Sequence, residues 1–135
     1  MPRHSTRLAL VALPLLLLAH AALAHHSFTA EFDAKKPVTL KGTVVKLMWT
    51  NPHAHIKVDV VDDAGKTTNW DFELGSPNWL LRRGWTAGTL KPGDMITVSG
   101  YLARDGSPIA NARAVKLSDG REVFAGSSAD EPATQ

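Results

Sequence analysis

Two pairs of histidines, His25-His26 and His53-x-His55, are the residues whose types and spacing best suit chemistry in this sequence. On a β-strand, residues two apart project from one face with Cα atoms about 6.6 to 6.8 Å apart, so two imidazoles can converge on one ion. His53 and His55 have that spacing, and their face continues with Lys57 and Asp59, which turns it away from a core. The other pair gains a ligand if the chain is cut before His25. A free α-amine, with a reference pKa of about 8, chelates together with the ring nitrogen of its own residue. With an imidazole from elsewhere the set becomes nitrogen-rich and tetragonal, favouring Cu(II) ahead of Ni(II) and Zn(II). Plainer readings stand beside this one. His25-His26 is then a solvated chain end, and His53-x-His55 an ordinary exposed strand face or a cap on the Asn51-Pro52 turn.

A cut at that point is what the start of the chain predicts. Arg3 and Arg7 precede an apolar run from Leu8 to Ala19, and Ala22-Leu23-Ala24 supplies small residues at −3 and −1. The run is interrupted by Pro14 and is shorter than the roughly 18 to 20 residues that a bilayer-spanning helix needs. Residues 1–24 are therefore expected to be a signal peptide cleaved after Ala24, giving a periplasmic or secreted protein; an uncleaved anchor is the alternative. No stable membrane anchor is expected after cleavage. Losing Arg3 and Arg7 lowers Lys+Arg from 15 to 13, equal to the 13 Asp+Glu, so the mature chain is formally neutral. A nucleic-acid partner, which usually requires a positive patch, has no support.

The elements that must position these histidines come from a single domain with no cysteine. Its stability has to come from packing, and a metal would have to be held by imidazole, carboxylate or backbone groups. Residues 25–37 read as an extended arm carrying Phe28 and Phe32. Val38 to Trp49 reads as a long strand in which the apolar phase slips from Val44 to Val45, the signature of a bulge, with Gly42 easing a bend. His53 to Asp62 and Thr67 to Leu74 alternate cleanly about the turn Asp63-Ala64-Gly65-Lys66. Ser76-Pro77 opens a short helix that ends near Gly84. Met95 to Leu102, Ile109 to Leu117 and Arg121 to Phe124 complete the strands, and residues 126–135 read as a disordered polar tail. Three strands, a short helix and two or three further strands, with a bent first strand, predict an all-β, OB-like Greek-key barrel over residues 38–125. A small β-sandwich is the alternative.

The stretches "AHHSFTAEFD", "VTLKGTV", "WTNPHA", "NWDFELGSPNWLLRRGW" and "LKPGD" together resemble a family of small secreted bacterial proteins built on a domain of unknown function. The resemblance runs from His25 to about Gly126 and implies an exported single domain, with no activity attached. In that family the residue two after the histidine of N-P-H is often aromatic, whereas here it is His55.

No G-x-S-x-G elbow, Gly-rich phosphate loop or H-E-x-x-H helix occurs, so no enzymatic activity is expected. Asp71 and Glu73 share a strand face at the spacing of an acid–base pair, but exposed acids paired with lysines explain them as well. The expected function is a binding module, with copper as the candidate cofactor on His25, His26, His53 and His55, and with Asp59 or Glu31 as outer acceptors. The competing class is a metal-free interaction module that docks a protein or small ligand near Trp49 and Trp85. An oxidase on a histidine-terminal copper site would also need an open coordination position.

Overall fold

Among the described residues, alternating apolar segments separated by Gly-, Pro- and Asp-containing turns give six strands and one short helix, besides a helical turn at residues 28–31. The computed structural model describes residues 28–127 together with Ala129 and Asp130; the segment 1–24, His25 and His26 lie outside the described residues, as does most of the polar tail. The elements are β1 (Phe32–Met48), β2 (His55–Val61), β3 (Thr67–Glu73), α1 (Pro77–Arg82), β4 (Met95–Ala103), β5 (Ile109–Leu117) and β6 (Glu122–Phe124). They form one sheet in the order β3-β2-β1-β4-β5-β6, and each neighbouring pair is antiparallel. A further, parallel pairing joins Asp71–Glu73 of β3 to Ile109–Asn111 of β5. The pairings therefore run in a circuit through β1, β2, β3, β5 and β4.

The long first strand serves both of its neighbours. Its later half pairs with β2 and its earlier half with β4, and the β2 register shifts between Val44 and Lys46, where the apolar phase slips. Gly42 is needed where β1 crosses β2, since a Cβ there would run into the carbonyl of Asp59 and the side chain of Val58. The main core consists of inward residues from every long strand, among them Val44, Ile56, Val58, Phe72, Ile96, Val98 and Val115, closed by Leu80 and Trp85. Ser76 caps α1 by accepting a hydrogen bond from the Trp79 amide. Ser76→Ala is expected to lower stability by about 1 kcal/mol, measured as a small drop in urea midpoint at constant slope; an unchanged midpoint would show the cap to be dispensable.

Both ends of the domain depart from expectation. The strand begins at Phe32, not Val38, and residues 28–31 form a helical turn, so the stretch read as an extended arm is folded from Phe28 onward. The cause is burial. Phe28 and Phe32 are 6% and 1% exposed and pack with Ala103, Tyr101, Ile109 and Ala129 in a second, smaller cluster. At the other end, Gly126 and Ser127 are buried, so they belong to the domain and not to the tail. Among the described residues no helix is long and apolar enough to cross a membrane.

Candidate functional site

The turn between β2 and β3 sets the site. Asp62 closes it by accepting from the amides of Ala64 and Lys66 at 3.0 and 2.9 Å. With the turn fixed, Val61 pairs with Thr67, and every earlier residue of β2 is matched in order, ending with Lys57 opposite Asp71 and His55 opposite Glu73. Directly opposed residues on a sheet bring their Cβ atoms to about 4.5 to 5.5 Å, and diagonal neighbours remain within reach of long side chains. The parallel pairing carries the same row across to Asn111, and β4 carries it on to Tyr101. Tyr101, Asn111, Glu73 and His55 thus form one rung, on the sheet face opposite Phe72 and Ala110 of the core.

Each imidazole meets a carboxylate, but only His55 belongs to this strand face, since β2 begins at His55 and His53 precedes it, contrary to the expectation of a strand from His53. His55 Nδ1 lies 2.9 Å from Asp71 Oδ1, and Lys57 Nζ donates to Asp71 Oδ2 at 2.6 Å. His53, placed just before β2 beyond the Asn51-Pro52 turn, has its Nδ1 3.6 Å from Glu73 Oε1, ion-pair range but beyond a direct hydrogen bond. Asp71 and Glu73 are therefore the partners of the histidines. Asp59, expected in that role, accepts instead from Asn69 Nδ2 at 2.8 Å, because the register sets it opposite Asn69 and away from the imidazoles.

The hydrogen bond that His55 makes to Asp71 raises the pKa of His55 above the ordinary value, and the charges of Asp71 and Glu73 add to this against partial burial and Lys57. Asp71 is pulled below the usual carboxylate value: burial alone would raise it, but the bonds from His55 and Lys57 outweigh that. The contribution of His55 to stability is complete below about pH 6.5, the unfolded imidazole value, and is lost as pH rises through the raised folded value. That of Asp71 is complete above about pH 3.9 and is lost as pH falls through its lowered folded value. Asp71→Asn is accordingly expected to lower the His55 pKa, followed by ring-proton NMR against pH. An unchanged titration would show that the pair is not coupled.

Glu31 reaches the site from the N-terminal turn. Partial burial raises its pKa, as does the charge of Glu73, opposed by His55 and more weakly by His53. Behind Glu73, Asn111 Nδ2 donates to Glu73 Oε1 at 3.2 Å, and Ser127 Oγ donates to Asn111 Oδ1. Among the described residues no three histidine, aspartate or glutamate side chains are grouped so as to hold a metal ion by themselves. The described part of the chain offers two imidazoles, each with its Nδ1 directed at an acid.

A family of unknown function, DUF6152, matches this sequence over residues 12–112. The chain belongs to that family. No curated protein matches it. The DUF6152 match takes in both histidine pairs, both carboxylates and Asn111.

Trp85 is 1% exposed and donates from Nε1 to the Phe124 carbonyl at 2.8 Å, so it closes the core and cannot serve as a surface platform. Trp49 is half-buried against the same core. Asn111 went unnoticed in the sequence, although a single polar residue within Ile109-Ala110-Asn111-Ala112 was a signal that something polar had to meet it.

Proposed function

We propose that this is an exported, OB-like binding module that takes a transition-metal ion, copper(II) first, on His53 and His55, with His25 and His26 completing the ligand set. The observation that carries the reading is the hydrogen bond between His55 Nδ1 and Asp71 at 2.9 Å, with His53 Nδ1 in ion-pair range of Glu73 at 3.6 Å. Metal-binding histidines characteristically give their second ring nitrogen to an acid, which fixes the tautomer and makes the ligating nitrogen more basic. Nε2 of each ring is then the atom that meets the ion. The surrounding acids Glu31, Asp71 and Glu73 favour a cation over an anion as the guest.

Chain length supports the participation of the first pair. Phe28 is anchored beside Ile109, which pairs with Asp71, and Glu31 lies within electrostatic range of both imidazoles. His26 and His25 are two and three residues before Phe28, a span of at most about 7 and 10 Å of extended chain. The circuit of strands with a helix between β3 and β4 supports the barrel. The charged, apolar and small-residue segments at the start of the chain support export.

The test is a copper(II) titration of exported protein against a competing chelator, beside a His53→Ala, His55→Ala double variant, with intact mass fixing the first residue. The wild type should bind one ion more tightly than the double variant by more than the 10 to 100-fold typical of losing an outer partner alone. Equal affinities would leave a metal-free interaction module as the better reading. A first residue other than His25 would remove the α-amine from the site.

A further inference from the structure

Glu73, Asn111 and Ser127 are the buried polar residues of the described chain, and all three lie in one connected row. We propose that Asn111 and Ser127 are positioning residues for the histidine site: acting through Glu73, they hold His53 with its proton on Nδ1 and its Nε2 lone pair presented outward. The purpose given to this device rests on the metal reading above, but the positioning itself is a property of the metal-free protein.

The direction of the hydrogen bonds along the row is determined. The Ala129 amide donates to Ser127 Oγ at 3.2 Å, which turns the hydroxyl proton of Ser127 toward Asn111 Oδ1. The amide of Asn111 is thereby oriented, because its oxygen faces the serine and its NH2 must face Glu73, where it donates at 3.2 Å. An ionised carboxylate only accepts. With Asn111 holding Oε1 of Glu73, the nearest ring atom of His53, Nδ1 at 3.6 Å, is favoured as an N–H. Through Asn111 and Glu73, Ser127 in the segment after β6 thus favours the proton on His53 Nδ1, by the charge of the held carboxylate and not by a direct hydrogen bond.

The fold takes trouble to keep this row covered. Gly75 donates its amide to the Ala125 carbonyl at 3.1 Å, and Ala125 donates to the Arg113 carbonyl at 2.8 Å. Gly75 lets the segment after β6 lie against it, since a Cβ at Gly75 would strike the Gly126 carbonyl. Arg113 and Asp130 fasten the far end at 3.0 Å. A sheet face needs no buried carboxylate for stability, and apolar replacements of buried charged groups are often neutral or stabilising. A buried polar row whose last carboxylate faces a candidate ligand at 3.6 Å is better explained by what it does to that ligand.

The experiment reads the tautomer of His53 by long-range ¹H–¹⁵N NMR in metal-free protein near pH 8, above the ordinary imidazole pKa of about 6.5. Wild type, Asn111→Leu and Ser127→Ala are compared, the last as a small change that keeps the fold if the leucine does not. His53 should carry its proton on Nδ1 in the wild type and move toward Nε2–H, the form that an unconstrained histidine side chain prefers, in both variants, while His55 keeps the form set by Asp71. Copper affinity should fall about 10 to 100-fold in Asn111→Leu. Persistence of the wild-type His53 tautomer in both variants would overturn the proposal, even with copper bound. The expected tautomer changes in a protein that binds no copper would uphold the positioning and sink only the metal reading.

Discussion

Replacing Phe32 with alanine is expected to lower stability by about 3 to 5 kcal/mol and to weaken copper binding at the same time. Phe32 is 1% exposed and holds the small cluster that pins the N-terminal turn to Tyr101, Ala103 and Ile109. Its ring lies 5.6 Å from that of Phe28, which contacts Tyr101 edge-on at 6.1 Å. Once the ring is removed, the ladder from Phe32 to Pro37, already interrupted by a register shift, has little to hold it against β4. Glu31 and the residues before it would then leave His53 and His55. Urea unfolding and copper competition on the same sample check both effects, and hydrogen exchange should accelerate first at residues 32–37. A variant with lowered stability but undiminished copper affinity would show that the N-terminal segment contributes nothing to the site.

Trp85→Ala should cost a similar amount, about 3 to 5 kcal/mol, but with a different distribution. Trp85 is buried in the main core and donates to the Phe124 carbonyl, so its loss leaves a cavity and a partly buried acceptor without this donor. Because the main core joins every long strand, exchange should accelerate throughout the sheet, not at one end. Affinity for copper, measured where the variant remains folded, should change far less than in Phe32→Ala. If exchange instead increased only around residues 124–127, Trp85 would be a local clasp for the last strand and not a member of the central core.

How much of this could be read from the sequence depends on the range of each interaction. The alternation of His53 to Asp62 and Thr67 to Leu74, and the phase slip at Val44-Val45, are local signals, and they located β2, β3 and the irregularity in β1. The pairing of His55 with Glu73 was also available, since the turn at Asp62–Lys66 counts it off residue by residue. Asp71 and Glu73 read as solvated acids from their own strand alone, because the residues that partner them lie across the β2–β3 pairing. The early start of β1 was hidden, since Phe28 and Phe32 have no apolar neighbours in sequence and find theirs in Tyr101 and Ile109. Asn111 and Ser127 were hidden for the same reason, since their partners are contributed by a parallel pairing and by a segment that lies back over the sheet.

The central claim is that copper(II) is held by the imidazoles of His53 and His55. Electron paramagnetic resonance of the purified protein with one equivalent of copper(II) tests it most directly. The account predicts an axial spectrum with couplings from several nitrogens, including imidazoles, that changes when His53 and His55 are replaced by alanine. The same spectrum from wild type and double variant would contradict it, because His53 and His55 would then be absent from whatever site the metal occupies.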